Sequence, residues 1–390
     1  MKEKPAETLR TELPKVKQKS INITTKGIFK KLNFSAKWNI RDILRNKMRT
    51  FMGIAGITGC CMLLVCAFGM LDTMKSYIKW QFEDLYNFDY KIALKEGYTT
   101  KEYDKLISEY GDATSQTLGV EVQKDNAKEA NNIFVADSQD YVRFTNTDRE
   151  YMKLQDNGVY VTQKLAKENN YNIGDKIVWH IYGSDKYYES EIVGFDRDPQ
   201  NQNIKMTRKY LESLGIEYKA DTIYTNKDLS NVQTPDGVDV IQDINALESG
   251  MLSMINTMKT MIILLIVVAA ILGSVIIYNL GILSFTEKQY QFATLKVLGF
   301  KNSNIKKIYI KQNNWIAIIS MILGLPLGYY MVDFIFKMAL SDKYDFSATI
   351  KLPSYIYAAI GTFIVSYIVS KLLARKVNKI DMVTSLKGNE

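Results

Sequence analysis

Residues 260–283 read TMIILLIVVAAILGSVIIYNLGIL, a stretch without a single charged side chain. Buried soluble helices seldom run that far uncharged, and the length is enough to cross a bilayer. Three more runs share the character: 50–71 (TFMGIAGITGCCMLLVCAFGML), 312–336 (QNNWIAIISMILGLPLGYYMVDFIF) and 353–370 (PSYIYAAIGTFIVSYIVS), interrupted only by Asp333. At about 1.5 Å per residue the run at 50–71 would extend about 33 Å, against about 30 Å of hydrocarbon. Overall composition hides this, because 47% hydrophobic and 24% charged looks like a soluble average until the apolar residues are mapped along the chain. Four membrane spans are expected: 50–71, 260–283, 312–336 and 353–373.

Charge sets the expected orientation. Residues 1–49, 284–311 and 371–390 together hold 25 Lys and Arg against 7 Asp and Glu, a surplus of 18 where the whole chain has only +8. The remainder is therefore acidic, and the positive-inside rule puts the three basic segments in the cytoplasm. Both termini are then inside, and residues 72–259 lie outside as one domain. The basic excess reads as a topology signal; no nucleic-acid-binding motif accompanies it. The N-terminus does not look like a cleaved secretory signal, since the first apolar run begins near residue 50 behind a polar stretch. Plasma-membrane location follows, multi-pass, with membrane lipid as a partner.

Further divisions come from local pattern. Residues 1–33 read as a cytoplasmic basic tail. In 34–49, Trp38, Ile40, Ile43, Leu44 and Met48 recur at helical spacing among Lys37, Arg41, Arg45, Lys47 and Arg49, as in a helix lying at the headgroups before the first span. The outer domain should be α+β. A helix is expected over 98–110 with Thr99 or Thr100 as cap, and strands at 131–137, 158–166, 174–183 and 188–196, where apolar and polar residues alternate between glycines. Residues 238–258 show helical periodicity running into the second span. Gly53, Gly56, Gly59, Gly273 and Ser274 would let helices approach closely, and Pro326 should kink the third span. A short outer loop is expected at 337–352 and a cytoplasmic tail at 374–390. Cys60, Cys61 and Cys66 all fall in the first span, which leaves the outer domain without disulfides. The single histidine, His180, sits in the alternating KIVWHIYG and reads as a strand residue.

No catalytic constellation emerges: the phosphate loop G-x-x-x-x-G-K-[ST], H-E-x-x-H, G-x-S-x-G and C-x-x-C are all missing from the sequence. The chain is not expected to be an enzyme. Intramembrane polar groups are too few for an ion-coupled carrier. The segment that asks for a partner is FTEKQYQFATLKVLGFKN, residues 285–302, in the basic connector at 284–311. Phe285, Phe292, Leu295 and Leu298 form one apolar face, Glu287, Lys288, Gln289, Gln291 and Lys296 occupy the rest, and Gly299 ends the helix as a C′ glycine does. That face either fits a groove on a cytoplasmic partner or lies on the membrane.

The run TEKQYQFATLKVLGF resembles the signature of the FtsX-like (MacB-like) permeases of ABC transporters. Glu287, Lys288 and Ala293 to Phe300 match it; Gln291 stands where glutamate is usual and Lys288 where arginine is. GVYVTQKLAKENNYNIGDKIVW resembles the extracytoplasmic domain of such permeases, RDILRNKMRTFMGIAGITGC their first span with its basic elbow, and KIDMVTSLKGNE their tail. The resemblance implies an α-helical membrane protein with four transmembrane helices (1+3) and one α+β extracytoplasmic domain inserted between the first two. It implies a coupling site at Phe285, Glu287, Lys288, Phe292, Leu295, Lys296, Leu298, Gly299 and Phe300, contacted by a separate cytoplasmic ABC ATPase. ATP and Mg belong to that partner, and this chain holds no cofactor or metal. Its hydrolysis would move the outer domain by mechanotransmission, to export or extract lipid, lipoprotein or peptide. The same resemblance also allows a regulator that relays ATPase cycles to a cell-wall hydrolase or a sensor kinase. PAETLRTELPK at 5–15 resembles the connector of long Firmicutes-type permeases, in which two four-span modules share one chain. The chain is thus similar to a second half, whose other permease module would be a first-half chain or a second copy, in a Gram-positive bacterium.

Overall fold

The computed structural model describes residues 34–124, 127–340 and 344–379. The expected basic arm at 1–33 and the last part of the tail lie outside them. The helices are α1 (Phe34–Arg45), α2 (Lys47–Ile78, continued by a π-helical turn at Lys79–Leu85), α3 (Thr100–Tyr110), α4 (Gln163–Asn169), α5 (Arg208–Ser213), α6 (Ile244–Val297), α7 (Asn302–Leu340) and α8 (Leu352–Ala374). Four of them, α2, α6, α7 and α8, are long and apolar enough to cross a membrane. The protein is an α-helical membrane protein with a separate α+β sheet domain. Each span reaches beyond its apolar run, because helical hydrogen bonding continues wherever nothing breaks it. The helix α7 also passes through Pro326 without interruption.

The chain packs as two units: residues 34–54, 277–316 and 367–379 in one, 55–276 and 317–366 in the other. The second contains eleven strands. They are β1 (Tyr90–Leu94), β2 (Ala113–Lys124), β3 (Ala127–Ala136), β4 (Phe144–Thr145), β5 (Tyr151–Met152), β6 (Val159–Thr162), β7 (Lys176–Ile181), β8 (Tyr187–Asp196), β9 (Ile204–Thr207), β10 (Thr222–Thr225) and β11 (Val238–Asp243). Nine follow the order β11-β1-β10-β2-β3-β9-β6-β8-β7, and β7 also pairs back to β2. Six strands, β2-β3-β9-β6-β8-β7, therefore close on themselves and leave no edge among them. Strand alternation fills the interior: Val120, Val122, Ile133, Val135, Val161, Trp179, Ile204 and Met206 are all buried in one cluster. Trp179 satisfies its indole N–H there on Ser190 Oγ at 3.0 Å.

The sheet corrects one expectation. Residues 238–243 (VDVIQD) are a strand antiparallel to β1, with Ile241 opposite Ile92, and the helix begins only at Ile244. Helical spacing in this stretch competes with an open edge of β1, and backbone pairing wins. The strands β1, β2, β9 and β10, which carry many Lys, Thr, Ser and Gln, lacked the clean alternation that marked the others. Helix α3 starts at its expected cap: Thr99 accepts from Glu102 N–H while the Glu102 carboxylate takes the Thr99 N–H at 2.7 Å. His180 sits on β7, its Nε2 2.8 Å from Glu121 Oε2. The three cysteines are free and buried.

Helix packing in this unit rests on glycines, two of which were not singled out from the sequence. A Cβ built on Gly328 would lie 2.4 Å from Val65 Cβ, and one on Gly324 2.7 Å from Cys61 Cβ. Gly56 and Gly273 are similarly close to Ile276 and Cys60, whereas nothing lies within 4 Å of such an atom on Gly59. Ser274 turns its hydroxyl onto the Ala270 carbonyl of its own helix, at 2.7 Å. Close contact of this kind is how spans associate where lipid removes any hydrophobic drive. Gly328→Val is expected to destabilise the protein by about 1–3 kcal/mol through overpacking, read as a lowered melting temperature in detergent, with Gly59→Ala unchanged.

Candidate functional site

The connector expected to be functional belongs to the first unit. Three of its apolar residues point inward: Phe285, Phe292 and Leu295 are 7%, 1% and 6% exposed. The two phenylalanine rings meet Tyr309 of α7, their centroids each 6.5 Å from it at near-perpendicular angles and 6.0 Å from one another. The Tyr309 hydroxyl donates to the Gly281 carbonyl at 3.1 Å, and Asn313 Nδ2 donates to Ser370 Oγ of α8 at 3.1 Å. The face expected to fit a partner's groove is thus occupied by the chain itself.

Lys288 departs from its expected place on the polar side. It is 2% exposed, and its ammonium donates to Gln312 Oε1. Sequence spacing assigned it by charge alone; the long aliphatic stem and a polar acceptor on α7 let it go inward. Glu287 pairs with Arg49 of α2.

The helix ends as Gly299 requires. With φ of +86° this residue is left-handed, the Phe300 N–H reaches the Leu295 carbonyl and the Gly299 N–H the Lys296 carbonyl, both at 3.0 Å. These two bonds are the Schellman pattern, and they satisfy carbonyls that the helix end would orphan. On either side of the stop, Leu298 and Phe300 turn out to 70% and 38% exposure, beside the half-buried Lys296. The nine expected residues therefore divide into a buried brace and an exposed apolar tip.

A second cluster lies in the other unit, where the sheet domain meets helix ends. Trp80, in the π-helical turn after α2, is buried, with the Arg149 guanidinium 4.0 Å and that of Arg197 5.5 Å from its ring centroid. Arg197 also forks onto Asp345, with Nε to Oδ2 at 2.6 Å and Nη2 to Oδ1 at 3.4 Å, and donates to Ser347. Asp345 N–H reaches the Pro199 carbonyl at 2.9 Å, Lys164 Nζ reaches the Tyr344 carbonyl at 3.1 Å, and Phe346 stacks on Tyr77 at 4.4 Å. The segment between α7 and α8 is in this way fastened to the sheet domain and to the end of α2. Further inside the domain, Lys205 is almost wholly buried, 2.5 Å from Asp196 Oδ2 and 2.8 Å from Asp198 Oδ2. Burial opposes its charge, but the two carboxylates hold the ammonium above the ordinary lysine value. Burial pushes Asp196 up against the pull of Lys205. Among the described residues no group of His, Cys, Asp and Glu comes together to hold a metal.

Residues 263–382, which include the connector and its exposed tip, match the family described as FtsX-like permease C-terminal. The chain is thus similar to the FtsX-like permeases over those residues. It is also similar to ABC transporter permease YtrF of Bacillus subtilis (strain 168), 24% identical over 234 residues, 52% of this chain and 53% of that protein. The match spans about half the length of that relative.

The connector was legible from Gly299 and the flanking apolar spacing. Its joint at Trp80, Arg149, Arg197 and Asp345 was not, because these residues are far apart in the chain and belong to no motif. The one signal was Trp80, past the apolar run at 50–71, a common interfacial residue.

Proposed function

We propose that this chain is the membrane-spanning subunit of an ABC transporter, driven by a separate cytoplasmic ATPase that engages the 285–300 connector. The observation carrying this reading is the exposed tip around Gly299 in the family-matched region: an apolar pair, Leu298 and Phe300, presented at a helix end that its own brace holds in place. A surface residue of this size, flanked by Lys296 and Lys301, suits an acidic-rimmed apolar groove on a partner. Closure of the ATPase would push the brace, and motion would pass along the spans to the sheet domain outside. The sparse polar lining of the spans favours mechanotransmission over a path through the bilayer, with lipid, lipoprotein or peptide as cargo and a second permease module completing the assembly.

The test is recovery of a cytoplasmic ABC ATPase when the tagged chain is purified from the cells that make it. Leu298→Gln is expected to lower it about tenfold, a loss of about 1.4 kcal/mol, while melting stays unchanged. Equal recovery with Leu298→Gln and wild type would overturn the reading. Leu295→Asp is a different experiment, since it buries a carboxylate in the brace and is expected to unfold that unit.

A further inference from the structure

The sheet domain contains a cavity of about 150 Å³ that no part of the coupling reading uses. Strand register explains its lining. Lys91 lies opposite Tyr224, Thr222 opposite Ser115, Thr117 opposite Phe134, and Phe134 opposite Lys205, so all seven positions fall on one face of the sheet. The alternate residues Ile92, Ile223, Ile133 and Ile204 fill apolar cores on the other face. The cavity roof comes from Phe88, Arg143, Phe144 and the 198–203 loop.

Its charges do not balance. Lys205 is neutralised by Asp196 and Asp198, and Asp198 is spent further on the N–H groups of Gln200 and Asn201. Lys91 makes no ion pair among the described residues and senses Asp221 only through space; burial holds its ammonium below the ordinary lysine value. A desolvated, uncompensated cation is costly, and an anion beside it would remove the cost. Arg143 lines the same space, engaged on the Tyr151 ring at 5.6 Å, again without a carboxylate partner among the described residues. Asn203, 8% exposed, leaves its amide oxygen without a donor. Aromatic walls from Phe88, Phe134 and Phe144 complete the set.

We propose that this cavity binds a small organic carboxylate: the carboxylate beside Lys91 and Arg143, an apolar body against the phenylalanines, and a hydrogen-bond donor toward Asn203. The volume is that of a site for a benzene-sized body. Such a site would make the sheet domain a receptor for a soluble small molecule. It stands whether or not the chain couples to an ATPase.

The test uses the full chain in nanodiscs with 4-hydroxybenzoate as probe and saturation-transfer NMR as readout. Wild type is expected to bind it with millimolar or tighter affinity. Lys91→Met and, separately, Arg143→Gln should each weaken binding tenfold or more, and the uncharged 4-hydroxybenzyl alcohol should bind at least tenfold more weakly than the acid. No transfer from 4-hydroxybenzoate, equal binding by both variants, or equal binding of the alcohol would each overturn the proposal. Displacement of the probe by an equal concentration of inorganic phosphate would overturn the organic part of it, since phosphate has no apolar body to hold.

Discussion

Lys205→Met is expected to destabilise the sheet domain by about 3–5 kcal/mol, because it leaves Asp196, fully buried, without the cation 2.5 Å away. The double variant Asp196→Asn with Lys205→Met should recover most of the loss, since removing both charges also removes the desolvation burden that neither can carry alone. Trp179 fluorescence of the purified chain would follow the unfolding. The pH dependence has a definite sign. Burial already raises the Asp196 pKa, and deleting Lys205 raises it further, so the folded variant takes up a proton that the unfolded chain gives off. Its deficit is therefore smallest at and below the ordinary carboxylate range and deepens as pH rises through the raised value. In the wild type Lys205 acts at the other end: with its folded value above that of an ordinary lysine, its contribution is present below the ordinary lysine range and is lost as pH rises through the raised one. A single-variant loss under 1 kcal/mol at neutral pH would contradict the assigned pairing.

Trp80→Ala should be comparably severe, costing about 3–5 kcal/mol for the lost aromatic volume. Its effect extends beyond the cavity. Arg149 and Arg197 would lose the ring they rest on, and among the described residues Arg197 would be left with Asp345, Ser347 and the Thr147 carbonyl. Hydrogen exchange is expected to accelerate in residues 143–152 and 344–349 together, while the barrel strands β2 and β3 stay protected. Trp80→Phe, which keeps a ring for the guanidinium groups, should restore most of the protection. Independent behaviour of the two segments would show that the tryptophan does not join them.

Much of this protein was readable without coordinates because its strongest signals are local. Membrane spans depend on the length of uncharged runs, the start of α3 on the side chains of Thr99 and Glu102, and the end of α6 on one glycine that can hold a positive φ. Each is a property of a few consecutive residues. The strands β3, β6, β7 and β8 were legible for the same reason, as alternation within a single segment. The segment VDVIQD misled because its conformation depends on a neighbour, the open edge of β1, that lies about 150 residues earlier in the chain.

The candidate site divides along the same line. Gly299, Leu298 and the apolar spacing of Phe285, Phe292 and Leu295 follow from helical periodicity, but which of them face inward does not, since an amphipathic face looks identical whether it meets a partner, lipid or its own Tyr309. Lys288 shows this most plainly: charge argued for solvent, and Gln312 on another helix decided otherwise. Sequence alone determined four helices long and apolar enough to cross a membrane, an α+β domain and a glycine-stopped helix in the basic connector. Tertiary structure decided the closed barrel, the pairing of Lys205 with Asp196 and Asp198, the Trp80 joint and the unbalanced cavity, because burial and charge neutralisation arise only when distant segments are brought within a few ångströms of one another.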